Sequence, residues 1–487
     1  MKKIISLVLI AVMLLSLCAC GSSAAETTPA TEPAASFSVG YGKADITPSK
    51  YGVPMDGYGN TDDRLSSGIL SYVYAIAVAV TDAEGNTAIM MAVDSCSTPG
   101  SIVTPIRQWA QDTYGIPMSN ILISCIHQHS CPDATSGVYT NEYTNGLKKA
   151  ITAALEDRAP AEMYINTATT EAMSFIRHLW LNDGGYVTSH SCTGDKASGY
   201  AGYASESDKE MRFIKFTRQD AADIIMVNFQ GHPHMGSGSK DTNIHSDWPG
   251  AMRDAVEKDM GALCIYFSGA GGNMNSSSSI KEDNITASKD FKQHGQRAAE
   301  YVKNAESGYT KVNTGSVLCK EITVTYPADH SLDHLLTQAT TVNNEKKSNG
   351  IDAAKELLKQ YPELNSHFQA SAIVNKAARG QTCDASISVI TFGDVAFTVH
   401  PYEMFDSNGK ALREGTVGNS DYDADDQLEN PFAMTFITTI SNGSLGYIPS
   451  QLGYTNGGYE RDTTRFAAGT GEQMVGDYLR LLNELHN

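Results

Sequence analysis

The sequence predicts an α/β fold: one large mixed, twisted sheet flanked by helices, in a single domain. Three observations point there. Short apolar runs rich in β-branched residues recur along the chain and are bounded by turn residues, as strands are. Amphipathic stretches of helical period lie between them, and the mixture shows no fixed repeat length, which excludes solenoids and propellers. Several of the apolar runs end directly on a histidine or a carboxylate, so polar chemistry is gathered at strand ends.

The chain opens with Lys2 and Lys3 before the apolar run Ile4 to Leu17, too short to span a bilayer comfortably. Leu17-Cys18-Ala19-Cys20-Gly21 fits a bacterial lipobox. The expectation is a lipoprotein signal peptide over residues 1–19, lipid on Cys20 and a disordered tether over residues 20–36, rich in Ser, Ala, Thr, Pro and Glu. The protein is then an exported bacterial lipoprotein, anchored to the cell membrane on its extracytoplasmic side. A net charge of −19 argues against nucleic-acid binding. Beyond Cys20, Cys96, Cys125, Cys131, Cys192, Cys264, Cys319 and Cys383 are odd in number and form no C-x-x-C pair. Neither a disulfide scaffold nor a cysteine zinc site is indicated.

The folded body is expected over residues 37–487. Ser38 to Pro48 reads as an edge strand entering a turn, and Gly52 to Gly59 as a Gly-rich loop. Tyr72 to Thr81 and Thr87 to Val93 form a hairpin that ends at Asp94. Helices are expected over Pro105 to Tyr114 and Tyr143 to Arg158, with the buried strand Ile121 to Ile126 between them. Ala161 to Thr170, Glu210 to Phe216, Ile224 to Phe229 and Ala262 to Phe267 read as strands. The stretch Phe175 to Ser207 is polar, aromatic and Gly-rich. Ala251 to Met260 and Asp290 to Ser307 read as helices. Residues 331–380 form a helical insertion of two or three helices. Strands resume at Ala385 to Thr391, Val395 to Val399 and Phe432 to Ile440. His400-Pro-Tyr-Glu-Met404 opens a helix with Glu403 in its first turn, and Gly471 to Leu485 is the closing helix.

His127 and His129 follow the strand Ile121 to Ile126. In an extended chain residues i and i+2 point the same way, so their imidazoles converge at a sheet end. His232 and His234 follow another strand in the same manner, and Asp94 and Glu403 add carboxylates at strand ends. Two such histidine pairs and two carboxylates are the residue types of a hydrolytic metal site, where about three His or carboxylate ligands leave a position for water. His178, His190 and His245 stand in loops without an evident partner.

Several segments resemble one family. Ser38 to Pro48 is similar to the N-terminal G-x-G-x-A-D-I-T stretch of the neutral/alkaline ceramidases, and Ile126-His-Gln-His-Ser-Cys-Pro132 to their T-H-T-H-S-G-P segment. Phe229-Gln-Gly-His-Pro233 with Ser246-Asp-Trp-Pro-Gly250 resembles their second histidine motif. His400-Pro-Tyr-Glu-Met-Phe405 resembles their P-x-E-x-F motif, and Gly446-Tyr-Ile-Pro-Ser450 and Gly458-Tyr-Glu460 their late tyrosine segments. The resemblance runs in order from Ser38 to Glu460 and implies a Zn2+ held by His127, His232, Glu403 and Tyr447. It also implies that His129, Arg177 and Tyr459 line the reacting centre. Spacing alone singles out none of the 23 tyrosines. Asp247, and less so Asp94, are expected to orient a histidine from behind.

The implied activity is zinc-assisted hydrolysis of the N-acyl bond of ceramide or a related N-acyl lipid. The alternatives are a zinc hydrolase of another amide or ester, such as an N-acylated amino acid or sugar, and a non-catalytic binding lipoprotein on the same scaffold. The chain departs from the family at Ile126, Gln128, Cys131, Asp133 and Asn273, changes expected to alter the rim of the site. No C-terminal immunoglobulin-like domain, of the kind longer family members carry, is expected after the closing helix. Substrate is a small lipid or N-acyl amide, and the sequence carries no statement of oligomeric state.

Overall fold

The computed structural model describes residues 37–58, 63–188, 199–277 and 290–486. The expected lipobox with Cys20, and also His190 and Cys192, lie outside the described residues. Among the described residues no helix is long and apolar enough to cross a membrane.

The main sheet holds β1 (Phe37–Asp45), β2 (Tyr74–Thr81), β3 (Thr87–Val93), β4 (Ile121–Cys125), β5 (Ala159–Thr169), β6 (Glu210–Arg218), β7 (Ile224–Phe229) and β8 (Leu263–Ser268). Their spatial order is β8-β7-β6-β5-β1-β2-β3-β4, and Thr310–Lys311 adds a short partner to β5. The pairs β7/β8 and β3/β4 are parallel; the others are antiparallel. β1 was expected at an edge and is interior: it pairs with β2 along Ser38 to Asp45 and with β5 at Phe37 to Val39. Its second partner arrives more than a hundred residues later, so no local pattern announces it.

The large mixed sheet is present as expected, and a second, smaller sheet accompanies it. β9 (Val317–Pro327), β10 (Thr382–Phe392), β11 (Val395–Val399) and β12 (Met434–Thr438) form a separate four-stranded sheet, with β11 and β12 parallel. Phe392, Val395, Phe397 and Phe436 turn one face of this sheet into the core shared with Phe213, Phe216 and Phe267 of the main sheet. Two sheets packed face to face bury alternating residues of both, and helices on the outer faces bury the others, so β3, β4, β7 and β11 are buried throughout.

Helices cover the outer faces. α1 (Gly100–Tyr114) and α2 (Thr140–Glu156) lie on β1 to β4, where Ile106, Leu147 and Ile151 pack with Ala77, Ile89 and Ile123. Gly40 and Gly42 allow this approach, since a Cβ at either would stand 2.1 Å from a carbonyl oxygen of α2. α3 (Asp247–Met260) and α4 (Phe291–Asn304) pack beside β7 and β8, with Trp248 edge-on to Tyr266. The segment 331–380 forms α5 (Leu336–Asn349), α6 (Ile351–Leu358) and α7 (His367–Ala377) around a small core of their own. α8 (Asp406–Glu414) and α11 (Thr470–His486) cover the far side of the second sheet; α9 (Gln451–Asn456) and α10 (Tyr459–Thr463) are short. The polar stretch after Phe175 contains a three-stranded sheet of His178–Leu181, Tyr186–Thr188 and Tyr200–Tyr203.

Glu403 is not in a helix as expected. Glu403–Met404 forms a two-residue parallel pair with Tyr447–Ile448, and helix α8 starts only at Asp406. A strand this short has no periodicity to read.

Candidate metal centre and active site

Four residues follow the carboxyl ends of strands that run parallel to a neighbour: His127 after β4, His232 after β7, Glu403 after β11 and Tyr447 after β12. Crevices outside such strand ends are where α/β proteins gather ligands. Ligand atoms of His127, His232 and Glu403 lie within 4.8 Å of one another. Tyr447 is brought to them by backbone register, because it is the direct partner of Glu403 in the two-residue ladder.

His127 and His129 do meet, with ring centroids 5.0 Å apart, though not by strand alternation. His127 has φ of 63°, a left-handed conformation that ends the extended chain. Its Nδ1 lies 2.6 Å from the Cys96 carbonyl oxygen, where an N–H donates, and this leaves Nε2 facing Glu403 Oε2 at 3.1 Å. Burial disfavours charge on His127, but the Glu403 carboxylate, helped by Cys96, holds its pKa well above the ordinary value.

His129 Nε2 stands 3.0 Å from His232 Nε2. Burial, with His127 and His234 nearby, holds both of these imidazoles well below their ordinary pKa, so both are neutral. One contributes an N–H to the contact and the other a lone pair. The His232 carbonyl accepts from Ser276 Oγ at 2.7 Å. His234 folds back on that carbonyl with Nδ1 at 3.1 Å and also faces the cavity.

Arg177 is buried and pairs with Glu460, Nη2 to Oε1 2.5 Å. Its guanidinium carbon sits 5.7 Å from the centre of the Tyr447 ring, and its Nε is buried without a hydrogen-bond partner. Tyr459 opens α10 and meets the Tyr447 ring edge-on at 5.7 Å. Burial first, then the Glu403 charge, pushes the Tyr447 phenol well up, and the same causes push Tyr459 to about 12.

The two supporting aspartates are placed otherwise than expected. Asp94 is buried and gives both carboxylate oxygens to Arg253, each at 2.7 Å, with the Tyr74 amide at 2.9 Å. It braces α3 against the sheet instead of orienting a histidine. Asp247 accepts from the amides of Gly236 and Trp248 at 3.0 and 2.8 Å, so it shapes the backbone of the loop after His234. Gln128 and Cys131, expected at the rim, are buried beneath it: Gln128 bonds the Asp94 carbonyl and the Ser130 amide, and the Cys131 thiol faces the Gln128 carbonyl. Asn273 is also buried and accepts from the Asp406 amide. His245 stacks on Phe291 at 4.4 Å, away from the centre.

Sequence reasoning missed two neighbours. Glu460, quoted only as part of a tyrosine segment, bonds His178 at 2.8 Å as well as Arg177, and the pairing lowers its pKa to about 2 against the cost of burial. Cys96, two residues beyond Asp94, lies 3.8 Å from His127 Nδ1 and forms a second potential ligand group with His127 and His129. The whole centre opens into a cavity of about 1150 Å³.

Residues 37–265 match the family model described as neutral/alkaline non-lysosomal ceramidase, N-terminal. Neutral ceramidase 2 of Arabidopsis thaliana is 24% identical over 337 residues, covering 65% of this chain and 39% of that protein. Neutral ceramidase B of Dictyostelium discoideum is 25% identical over 213 residues, 40% of this chain and 28% of its own. The chain thus spans well under half the length of these relatives. The crystal structure of neutral ceramidase from Pseudomonas aeruginosa superposes with a TM-score of 0.65 at 16% identity, over 93% of this chain and 74% of that one, which establishes the shared fold. Over residues 37–265 the chain is similar to the N-terminal domain of the neutral/alkaline non-lysosomal ceramidases.

Proposed function

We propose that the protein is a zinc-dependent hydrolase that cleaves the N-acyl bond of ceramide or a related N-acyl lipid, with His127, His232, Glu403 and Tyr447 holding the zinc. The observation that carries this is the convergence of two imidazoles and a carboxylate within 4.8 Å on the wall of one cavity, beside a tyrosine fixed by strand register. The donor set fits: nitrogen and oxygen ligands suit Zn2+, and the proton that Glu403 draws onto His127 occupies a place that a divalent cation can take. Bound there, zinc supplies Lewis acidity to the scissile carbonyl and lowers the pKa of water.

The remaining chemistry belongs to the chain. Arg177 lines the cavity with its charge balanced by Glu460, so its guanidinium can donate to the oxygen that gains charge in the tetrahedral state. One such donor is commonly worth about 3 kcal/mol. The Tyr459 hydroxyl is a second donor on the same wall. His129, neutral and adjacent to His232, lines the cavity beside the centre, where its imidazole can contact the bound substrate. Lipid on Cys20 would hold the enzyme at a membrane surface, near an insoluble substrate.

Metal analysis of the soluble 37–487 protein, with ceramide assayed beside simpler N-acyl amides, tests the proposal. Stoichiometric zinc and amide turnover are expected, and His127→Ala or Glu403→Ala should lose both by at least tenfold. Retention of both in either variant overturns the site. Zinc without turnover on a broad panel points to a binding protein instead.

A further inference from the structure

The three-helix segment α5 to α7 forms part of the wall of the active-site cavity. Lys346 near the end of α5, and Asn365, Ser366 and Phe368 around the start of α7, line the same space as His129 and Tyr459. The segment has its own apolar core, of which Ala339, Val342, Ala370 and Ile373 are members. It is bolted to the tyrosine segment by buried polar contacts. Lys376 pairs with Asp329 at 2.6 Å and reaches the Asp462 carbonyl, Gln369 donates to the Asp462 carboxylate at 2.9 Å, and Phe368 meets Tyr459 edge-on at 5.9 Å. This is a preformed wall, not a loose flap.

The charged groups on this cavity are nearly all committed. Asp56 accepts from the Gly57 amide and Ser97, Asp462 from Gln369 and Arg461, and Glu403 faces His127. Arg177 is balanced by Glu460. Lys346 is the exception. It is half-buried, its Nζ lies 5.6 Å from the centre of the Phe368 ring, and among the described residues it has no ion pair. A cation held beside an aromatic face in a cleft, in a chain of net charge −19, is a local inversion of the protein's field. Ceramide, being uncharged, offers it no counter-charge.

We propose that this outer wall is a specificity subsite for an anionic group: the substrate is an N-acyl amide whose apolar part lies against Phe368 and Tyr459 and whose carboxylate, or other anion, meets Lys346. The inference rests on the amide-hydrolase reading and narrows its substrate class. The anion can sit on the amine half, as in an N-acyl amino acid, or on the far end of the acyl half, and the chemistry at Lys346 is the same.

Zinc-loaded protein is given dodecanoyl-glycine, its neutral counterpart dodecanoyl-ethanolamide, and an ω-carboxydodecanoyl ethanolamide. One of the two charged amides is expected to exceed the neutral one about tenfold in kcat/KM, through KM, and which one tells the half that carries the anion. Lys346→Gln should remove the preference and Lys346→Glu reverse it, while Lys347→Glu on the exposed neighbouring position leaves it intact. Equal use of all three amides, or a preference that survives Lys346→Glu, overturns the subsite. Calorimetric binding of each charged amide to wild type and Lys346→Glu separates the two claims. Tenfold weaker binding of either one in the variant supports the subsite even if no amide is hydrolysed, a result that would remove only the hydrolase reading; unchanged binding of both overturns the subsite alone.

Discussion

Glu460 is 1% exposed and touches Arg177 with one carboxylate oxygen and His178 with the other. Removing one member of such a pair leaves a buried charge uncompensated, which typically costs about 3–5 kcal/mol. Glu460→Gln should therefore lower stability at neutral pH and misplace Arg177, seen as a fall in kcat larger than any rise in KM. The pH dependence follows from a folded pKa of about 2 against an ordinary 4.5. Glu460 contributes its full stabilisation above about pH 4.5 and loses it as pH falls toward 2. Thermal unfolding at pH 7, 4 and 3 should show the gap between wild type and Glu460→Gln closing in acid; a constant gap would show that the ion pair is not its source. His127, His129 and His232 were legible because they follow strands at short spacing. Glu460 was not, because its partners Arg177 and His178 are about 280 residues distant in sequence and charge pairing at that separation leaves no local mark.

Among the elements, the pairing of Glu403–Met404 with Tyr447–Ile448 decides where two of the four proposed ligands stand. Gly272 presses against this ladder: its amide donates to the Met404 carbonyl at 2.8 Å, and a Cβ there would lie 2.7 Å from the Glu403 carbonyl oxygen and 2.8 Å from that of Met404. Both obstacles are backbone, so Gly272→Ala must displace the strand. Overpacking of this kind costs about 1–3 kcal/mol, and the variant is expected to bind zinc at least tenfold more weakly, measured by chelator competition. A variant that loses stability but keeps its zinc affinity would mean that the strand does not position the ligands. Most longer strands and helices lie within a few residues of where period and turn residues put them. The elements that failed, the edge assignment of Ser38 to Pro48 and the helix at His400, failed where pairing, not pattern, determines the conformation.

As a whole, the molecule is two facing sheets between helices, with the proposed metal ligands drawn from both sheets at one end: His127 and His232 from the first, Glu403 and Tyr447 from beyond the second. If Cys20 carries lipid, Cys20→Ser should move the protein from the membrane fraction to the soluble one while leaving kcat on a water-soluble amide unchanged; unaltered partitioning would exclude the anchor. What the sequence by itself determined is the α/β class, most strand and helix positions, and the ordered histidine, glutamate and tyrosine segments, because side-chain period and turn chemistry act within a few residues. Only the tertiary structure decided that there are two sheets, that His127 reaches its neighbours through a left-handed turn, that Asp94 and Asp247 brace the scaffold, and that residues 331–380 wall the cavity. Each of these depends on contacts between segments far apart in the chain, whose free energy is set by packing and pairing in three dimensions.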